Sequence, residues 1–579
     1  MLLTGAEILV RALEDQGIDT IFGYPGGAVL NIYDALYAHK DKIRHILTCH
    51  EQGAAHAADG YARATGKVGV CLATSGPGAT NLVTGIANAY MDSIPMVAIT
   101  GNVGVPLLGK DSFQEVDIAG ITMPITKYNY IVKDVNKLEE VIREAFYIAC
   151  EGRQGPVLID IPKDVTAKKA EYFEYIPKEV KRETESITDK SIAEAVKLIN
   201  SAKRPIIYAG GGIISATASD ELVEFAEKIQ SPVTTTLMAK GIISSKNPLS
   251  LGMIGMHGTK ASNIGAHKSD LFIAIGARFS DRVMGSKDSI KDAKVLHIDV
   301  DPAEINKNIK ADSFIIGDAK EVLKALIKEV DKKNNKEWIE EIKKLKLMDA
   351  KKPDVEYLTP EYLFKKINEY NKGDIIISTE VGQHQMWAAQ YFDFLKPRTF
   401  VTSGGLGTMG FGLGAAIGAQ IGNPESKVIN IAGDGSFGMN CNEIATVVSN
   451  KLPLLMIIIN NNVLGMVRQW QDFFYEGRYS HTTLNRKTDY VKLAEAFGAK
   501  GYRVTTKEEL DEVLKNSIES REPILIDYVI DCDKKVFPMV APGAPINEII
   551  SEDDYKKNWW INSISFLFYA IEYYHKKIV

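Results

Sequence analysis

Asp434 and Asn461 are the two residues whose types and spacing best suit a metal site. Each follows an apolar run typical of a buried strand, at 428–432 and 454–459, and the two lie 27 positions apart. A helix expected to start near Asn442 separates the runs, so the stretch predicts a βαβ unit whose parallel strands bring both polar ends to one edge of a sheet. A carboxylate and an amide oxygen suit Mg²⁺. The spacing therefore predicts a divalent-cation site.

Gly433 and Gly435 flank Asp434 and predict a phosphate group beside the metal. Glycine lets the backbone come close to a phosphate, and the free N–H groups at the start of the next helix attract an anion. The alternative is an ordinary strand-to-helix turn, which is common in α/β proteins. No GxxxxGK[ST] loop elsewhere in the sequence competes for the phosphate.

Glu51 is the main candidate for proton transfer. It follows a strand-like run and opens a helix rich in alanine and glycine, and such a helix packs closely against its neighbours. We therefore expect the carboxyl group to be dry and its pKa to be raised, which suits exchange of a proton with a heterocyclic nitrogen. The alternative is an acid at a helix start that only interacts with the helix dipole.

Composition and charge restrict the class of protein. The 579 residues are 45% hydrophobic and 25% charged, which is typical of a globular protein with several cores. A net charge of −6 and a pI near 6.0 argue against nucleic acid as the main partner. The cysteines form no CxxC pair, so we expect a reducing, cytoplasmic setting without a disulfide framework; they are Cys49, Cys71, Cys150, Cys441 and Cys532.

Neither end of the sequence predicts insertion into a membrane. The first 17 residues carry acids within their apolar pattern, so they indicate an amphipathic helix and not an export signal. Residues 559–574 are aromatic and apolar, but this stretch is shorter than the roughly 20 apolar residues that a span needs. We expect it to form a helix that docks on its own chain or on a neighbouring subunit.

Strand and helix patterns alternate along the chain and predict an α/β fold of three domains, each a mainly parallel sheet flanked by helices. The predicted domains span 1–165, 191–335 and 359–550, with a charged linker at 163–190 and a tail of unknown role at 551–579. The stretches at 67–101 and 427–462 share one order of strand, glycine turn, helix, proline and strand. The first and third domains are therefore expected to have the same architecture.

Two segments resemble motifs of thiamine-diphosphate enzymes. HEQGAAHAADGYAR at 50–63 resembles their glutamate motif, and GDG followed about thirty residues later by NN resembles the motif that holds the metal and the diphosphate. Four further blocks resemble the catalytic subunits of acetohydroxyacid synthases, also called acetolactate synthases, over about residues 1–548. These blocks are SGPGATN at 75–81, GARFSDRVMG at 276–285, SGGLGTMGFGLGAAIG at 403–418 and GMVRQWQDFFYEGRYS at 465–480.

The resemblance implies an enzyme that decarboxylates pyruvate and joins the remaining two-carbon unit to a second 2-keto acid. The products would be 2-acetolactate or 2-aceto-2-hydroxybutyrate, in the first common step of branched-chain amino acid synthesis. It implies thiamine diphosphate and Mg²⁺ as cofactors, with Glu51 hydrogen-bonded to N1′ of the aminopyrimidine. It also implies a homodimer or homotetramer with the active site between two subunits, and a small regulatory subunit.

The resemblance assigns further residues by position. Those beside the cofactor and the reacting centre are Val381, Gly382, Gln383, His384, Met409, Gly433, Gly435, Ser436, Met466, Phe113 and Gln114, with Asp434, Asn461 and the carbonyl of Val463 on the metal. Arg282, Trp470 and Met256 correspond to the site for the second 2-keto acid. A guanidinium group suits a carboxylate and an indole limits the room for an alkyl group. The alternative for Arg282 is a surface ion pair with Asp281.

The middle domain resembles the FAD module of the same family, in which FAD is mostly structural. The sequence YAGGGIISA is not a GxGxxG motif, so FAD follows from the resemblance alone. The corresponding flavin contacts are Arg153, Gly211, Gly212, His257, Arg278, Asp299 and Asp318.

Three other functions fit parts of the sequence. GLGTMG at 405–410 is a literal GxGxxG, and Asp434 follows 24 residues later, which favours a nucleotide-dependent dehydrogenase but leaves Glu51 and the pairing of GDG with Asn461 unexplained. A pyruvate oxidase would share the fold and both cofactors, but Arg282 and Trp470 argue against it. The third is a homologue that has lost catalysis, and the presence of Glu51, Asp434 and Asn461 speaks against that loss.

The sequence departs from the usual family pattern at three places. Two are the single positions Glu380 and Ser280. The third is the segment 102–107, and this departure affects the expected shape of the substrate channel.

Overall fold

The structure, a computed structural model, describes residues 1–284, 287–349 and 355–558. Three six-stranded sheets, all parallel and flanked by helices, make up most of it. The central strands are almost fully buried apolar segments such as 156–162 and 455–460, as expected for parallel sheets covered on both faces. The α/β fold predicted from the alternation of patterns is confirmed.

The first sheet has the strand order β3-β2-β4-β5-β7-β6. Its region contains β1 (Leu2–Thr4), α1 (Gly5–Asp15), β2 (Thr20–Gly23), α2 (Leu30–Ala38), β3 (Arg44–Leu47), α3 (Glu51–Thr65), β4 (Gly69–Ala73), α4 (Pro77–Asn81), α5 (Val83–Asp92), β5 (Met96–Asn102), α6 (Ile118–Thr122), β6 (Tyr128–Ile131), α7 (Leu138–Cys150), β7 (Pro156–Pro162), α8 (Lys163–Ala167) and β8 (Lys169–Glu171). Because β8 pairs with β1, the predicted linker at 163–190 is wrong for its first nine residues.

The middle sheet has the order β11-β10-β9-β12-β13-β14. Its region contains α9 (Asp189–Ser201), β9 (Pro205–Ala209), α10 (Gly212–Ser215), α11 (Ser219–Lys228), β10 (Val233–Thr235), β11 (Ser250–Met253), α12 (Lys260–Lys268), β12 (Leu271–Ile275), β13 (Lys294–Asp299), β14 (Ser313–Ile316), α13 (Ala319–Glu329) and α14 (Lys336–Leu347). Numbered within the domain, this order is 3-2-1-4-5-6, that of dinucleotide-binding folds, which bind their ligand where the order reverses. The reversal lies between β9 and β12.

The third sheet has the order β16-β15-β17-β18-β20-β19, which matches the first sheet strand for strand. Its region contains α15 (Pro360–Tyr370), β15 (Ile375–Thr379), α16 (Gln383–Tyr391), β16 (Phe400–Val401), α17 (Gly412–Gly422), β17 (Lys427–Gly433), α18 (Asp434–Phe437), α19 (Ile444–Ser449), β18 (Leu455–Asn460), α20 (Gly465–Phe474), α21 (Tyr490–Phe497), β19 (Lys500–Val504), α22 (Lys507–Ile518), β20 (Ile524–Val529), β21 (Met539–Val540), β22 (Ile549–Ile550) and α23 (Glu552–Asn558). The shared architecture predicted for the first and third domains is observed.

Helices α3 and α17 join these two domains through a contact made by small residues. A Cβ atom at Gly418 would lie 1.8 Å from the carbonyl oxygen of Ala57, and one at Gly60 would lie 2.1 Å from that of Ala415. Only glycine allows the two backbones to approach so closely. The helix that begins with Glu51 is therefore fixed against the third domain of its own chain.

No helix in the described ranges is long and apolar enough to cross a membrane. The docking helix predicted at 559–574 lies outside the described residues.

Candidate functional site

The turns after β15 and β17 meet where the strand order of the third sheet reverses, which is where open α/β sheets bind ligands. A Cβ atom at Gly382 would lie 2.9 Å from the His384 ring, and one at Gly433 would lie 2.7 Å from it. The imidazole is thus packed between two glycine turns, and its buried Nε2 has no hydrogen-bond partner in the described structure. Burial lowers the pKa of His384 to about 3. Because the two glycines have no side chains and the ring between them is neutral, the backbone of both turns is accessible to a ligand at this edge of the third sheet.

Asp434 and Asn461 lie side by side at the ends of β17 and β18, where Gly433 pairs with Ile459. Asp434 is 3% exposed, and burial raises the pKa of its carboxyl group to about 6, although the backbone N–H groups of Asn461 and Asn462 oppose that rise. The Oδ1 atom of Asn461 accepts the N–H of Val463 at 3.3 Å. Three potential oxygen ligands, from Asp434, Asn461 and Val463, therefore lie in the two adjacent turns that follow β17 and β18.

Glu380, one of the positions at which the sequence departs from the family, also lies at this site. It is fully buried, its Oε2 accepts the Ser436 hydroxyl at 2.9 Å, and its Oε1 accepts the N–H of Leu413 at 3.0 Å. Ser436 in turn accepts the N–H of Gly410 at 3.4 Å. This chain of bonds places the half-buried Met409 beside the turn that follows β17.

Gln383 and Met466 lie at the first turns of α16 and α20. The Gln383 Oε1 accepts the side-chain amide of Asn461 at 3.3 Å, and its Nε2 donates to Gln469 at 3.0 Å. A Cβ atom at Gly435 would lie 2.5 Å from Leu464, so the Gly435 turn packs on the segment that leads into α20. The structure brings these residues and the metal-ligand candidates into one cluster.

Glu51 occupies the first position of α3, where it is buried, with 9% exposure. Its Oε2 accepts the side-chain amide of Asn81 at 2.9 Å, and a Cβ atom at Gly78 would lie 3.2 Å from its Oε1. Asn81 was not singled out from the sequence, although it ends the SGPGATN block. Because His50 caps the helix through Gln52, the first turn of α3 is well defined.

Phe113 and Gln114 lie in the first domain, as Glu51 does. The backbone of Gln114 packs on Gly76, where a Cβ atom would lie 2.8 Å from the Gln114 carbonyl oxygen. Phe113 is 88% exposed. Glu51, Phe113 and Gln114 are absent from the lining of the large cavity described next.

A cavity of about 1400 Å³ opens at the reversal point of the middle sheet. This exceeds the roughly 300–1,000 Å³ common for small-molecule sites. All seven residues predicted to contact flavin line it, and so do the three predicted for the second keto acid: Arg153, Gly211, Gly212, His257, Arg278, Asp299, Asp318, Arg282, Trp470 and Met256. Val381, Gly382 and Met466 also line it, so the cavity reaches the cofactor edge of the third sheet.

Charged groups in the cavity are held by neighbours from several elements. Arg153 donates to Glu304 at 2.8 Å, Arg278 donates to the carbonyl of Met91 at 2.7 Å, and Asp318 accepts from Arg182 at 2.9 Å. Burial raises the pKa of Asp299 to about 6. Burial also lowers the pKa of His257 to about 4, and its buried Nδ1 has no protein partner within the described ranges. The cavity therefore offers fixed cations and a neutral histidine to a ligand.

Arg282 lies over the indole of Trp470, with 5.6 Å between the guanidinium carbon and the ring centroid. Its carbonyl accepts the N–H of Met256 at 2.9 Å, which joins the three predicted substrate residues. The alternative ion pair with Asp281 does not occur among the described contacts. Arg282 is exposed and lines the cavity, so its charge faces open space.

The GLGTMG segment does not form a dinucleotide turn. It follows β16, a strand at the sheet edge, and the N–H groups of Gly404 and Gly405 donate to the Asp92 carboxylate at 2.9 and 2.7 Å. The anion bound by these N–H groups is thus a side chain of the protein. The motif therefore gives no structural support to the dehydrogenase alternative.

Three models of thiamine pyrophosphate enzymes match the chain. They are described as the N-terminal TPP binding domain, over residues 3–121, the central domain, over 192–326, and the C-terminal TPP binding domain, over 380–528. A probable acetolactate synthase large subunit of Methanococcus aeolicus is 48% identical over 575 residues, covering 95% of both chains. The chain belongs to the acetolactate synthase large subunit family.

Other members of the acetolactate synthase family match to a similar extent. The large subunit of Corynebacterium glutamicum is 47% identical over 94% of this chain and 90% of its own length. The isozyme 2 large subunit of Escherichia coli is 44% identical over 95% of this chain and 100% of its own. The resemblance of the sequence blocks to this family is confirmed, while the domain limits and the roles of single residues stay predictions.

Proposed function

We propose that this chain is the catalytic subunit of an acetolactate synthase, which decarboxylates pyruvate and joins the two-carbon unit to a second 2-keto acid. The observation that carries the proposal is the placement of Arg282 over Trp470 in a cavity that reaches the cofactor edge of the third sheet. The near full-length similarity to acetolactate synthases supports it. The product would be 2-acetolactate, or 2-aceto-2-hydroxybutyrate when the acceptor is 2-ketobutyrate.

Thiamine diphosphate and Mg²⁺ fit the residues at the reversal point of the third sheet. Gly382 and Gly433 leave room for a diphosphate beside His384, whose buried Nε2 lacks a protein partner in the described structure. Asp434 and Asn461 would hold Mg²⁺ with oxygen ligands, together with the Val463 carbonyl. When bound, thiamine diphosphate supplies a nucleophilic carbon and accepts the electrons that CO₂ leaves behind.

FAD fits the cavity of the middle domain. The strand order 3-2-1-4-5-6, the unpartnered Nδ1 of His257 and the guanidinium groups of Arg153 and Arg278 suit a dinucleotide at the reversal point. These features support FAD although the sequence has no GxGxxG motif there. Met256 lines the same cavity, so a dinucleotide bound there would shape the wall of the substrate cavity.

The protein's own groups would bind substrate and move protons. Arg282 would bind the carboxylate of the second 2-keto acid, because a guanidinium group donates two parallel hydrogen bonds to it. The Trp470 indole would limit the size of its alkyl group. Glu51, dry and oriented by Asn81, would exchange a proton with a ring nitrogen of the cofactor.

The proposed active site lies between two copies of the chain. Glu51, Phe113 and Gln114 are separate from the cavity that holds Arg282 and Trp470 in the described chain. Exposed apolar side chains occur in both domains, including Phe113, Met123 and Leu30 in the first domain, and Met439 and Val467 in the third. A second copy would cover these surfaces and complete the site.

The relatives are named large subunits, and we propose that this chain likewise works with a small subunit.

A product assay tests the proposed function. The purified chain is incubated with pyruvate, thiamine diphosphate and Mg²⁺, with and without FAD, and acetolactate is measured. Release of CO₂ with acetolactate supports the proposal, whereas reduction of oxygen or a quinone by pyruvate would support an oxidase. Failure to form acetolactate under every condition would refute it.

A further inference from the structure

Glu443 is a buried carboxylate to which the proposed mechanism gives no role. It ends the short 3-10 turn Cys441–Glu443 that follows the Asp434 turn, and it is fully buried. Its Oε1 accepts the N–H of His50 at 3.0 Å, and its Oε2 accepts the N–H of Cys49 at 3.2 Å and the hydroxyl of Thr446 at 2.6 Å. Both oxygens thus act only as acceptors.

The two N–H groups bound by Glu443 come directly before Glu51. The carboxylate also lies against the first turn of α3, because a Cβ atom at Gly53 would be 2.2 Å from its Oε1. The third domain therefore fixes the point at which the backbone enters α3. The direction of the Glu51 side chain depends on that point.

A second carboxylate makes the same contact in the opposite direction. Asp92, at the end of α5 in the first domain, accepts the N–H groups of Gly404 and Gly405, which lead towards Met409 and α17. Each of the two related domains thus uses one carboxylate to bind two consecutive N–H groups ahead of the other domain's long helix. This repetition indicates that the Glu443 contact is a regular part of the way in which the first and third domains pack together.

We propose that Glu443 is a positioning residue that directs Glu51 towards the cofactor. The inference rests on the proposed function, because it assumes that Glu51 exchanges a proton with thiamine diphosphate. Proton transfer requires donor and acceptor within hydrogen-bond reach, so a small shift of the α3 start slows it. Glu443 touches neither cofactor nor substrate in this assignment.

The test uses the full-length Glu443→Gln variant. The amide keeps the size of the side chain, but its NH₂ group cannot accept an N–H, so the bond to Cys49 or to His50 is lost. We expect exchange of the C2 proton of bound thiamine diphosphate with D₂O to slow about 10- to 100-fold, while the dissociation constant of the Mg²⁺ complex of the cofactor stays unchanged. Exchange at the wild-type rate would overturn the proposal.

The matched control is Asp270→Asn in the middle domain. The Asp270 carboxylate also accepts two consecutive N–H groups, those of Lys203 and Arg204, both at 2.8 Å. It lies away from Glu51, so this variant should exchange the C2 proton at the wild-type rate. Equal slowing in both variants would show a general effect of losing such a contact and would overturn the proposal.

A double variant separates positioning from general stabilisation. If Glu443 acts through Glu51, Glu51→Gln/Glu443→Gln should exchange the C2 proton no more slowly than Glu51→Gln alone. A further, independent loss in the double variant would contradict the proposal.

Thr446→Val provides a second route if Glu443→Gln does not fold. It removes the hydroxyl that donates to Glu443 and keeps the side-chain shape, so exchange should slow in the same direction at unchanged cofactor affinity. Unchanged exchange would count against the proposal. A wild-type chain that exchanges the C2 proton but forms no acetolactate would instead refute the proposed function, so the two failures are distinct.

Discussion

Glu51 lies at the start of α3 with its carboxylate buried and in contact with Asn81. We expect Glu51→Gln to lower the rate of acetolactate formation by about 10²- to 10⁴-fold, because the amide cannot take up or deliver the proton. Affinity for the cofactor should be retained, since in the proposed site Asp434 and Asn461 would hold the metal that binds the diphosphate end. Steady-state kinetics and equilibrium titration with thiamine diphosphate measure the two effects.

Glu139→Gln is the control for that prediction. Glu139 is also a glutamate in the first turn of a helix, α7, so it shares the interaction with the helix dipole. If both variants lost the same activity, Glu51 would be no more than a helix-start acid.

Arg282 should bind the second substrate through the shape of its guanidinium group. Arg282→Lys keeps the charge but loses the paired hydrogen bonds, so the KM for 2-ketobutyrate as acceptor should rise about tenfold. Initial rates of 2-aceto-2-hydroxybutyrate formation at varied 2-ketobutyrate and fixed pyruvate measure this change. Arg478→Lys, at an exposed arginine paired with Glu476, should leave it unchanged. A normal KM in Arg282→Lys would exclude the proposed role.

Some of the site could be predicted from spacing and some could not. Asp434 and Asn461 were predicted to meet because adjacent parallel strands place their ends together. Glu380 and Ser436 are 56 positions apart, and Glu443 and His50 are 393 apart, so no local pattern connects them. Their contacts depend on how whole domains pack.

At the scale of elements, the α3–α17 contact decides how firmly the Glu51 helix is held. A Cβ atom at Gly418 would lie 1.8 Å from the Ala57 carbonyl oxygen, so Gly418→Ala must separate the helices. We expect it to lower the free energy of unfolding by about 1–3 kcal/mol despite the better helix propensity of alanine. Differential scanning calorimetry measures the loss.

Gly265→Ala is the matched control, because Gly265 also lies within a helix, α12. The atoms nearest to its added Cβ are the ends of the Ile342 and Leu251 side chains, at 3.3 and 3.4 Å, which can adjust. Equal destabilisation by the two substitutions would show that close approach of the α3 and α17 backbones is unimportant.

His56 gives the α3–α17 contact a dependence on pH. It is fully buried against Phe411, and burial, with Arg63 and His50 nearby, lowers its pKa to about 3. The unfolded chain binds a proton below about pH 6.5 and the folded chain does not, so stability falls as the pH is lowered towards 4. The contribution of this one group is at most about 1.4 kcal/mol per pH unit.

Melting temperatures from pH 7 to pH 4.5 test this dependence. His56→Gln should flatten the decline relative to the wild type, whereas His481→Gln, at an exposed histidine, should follow the wild-type curve. Parallel curves for His56→Gln and the wild type would show that His56 does not contribute.

At the scale of the whole molecule, the division of the site between copies can be tested by mixing. Glu51→Gln and Asp434→Asn are each expected to be inactive. In a hybrid dimer, one site carries both substitutions and the other carries neither, so random assembly should restore about a quarter of wild-type activity. Co-expression with two affinity tags isolates the hybrid. If mixing restores no activity, each chain completes its own site.

The overall fold was largely predictable because alternating apolar runs and helical patterns dictate parallel sheets. The repeated layout at 67–101 and 427–462 also indicates two related domains, and the strand orders of their sheets agree. The dinucleotide-type order of the middle sheet was not predictable, since GGG at 210–212 lacks the usual spacing and strand order depends on long-range packing. The extent of the linker was misjudged because β8 needs the distant β1 as its partner.

The separation of Glu51 from Arg282 and Trp470 within one chain has a consequence for how the enzyme behaves in dilute solution. A catalytic centre completed by a second copy exists only while the copies are associated, so its abundance follows mass action. Diluting the protein below the dissociation constant of the dimer would then switch off turnover while every domain stays folded. Specific activity would become a measure of assembly.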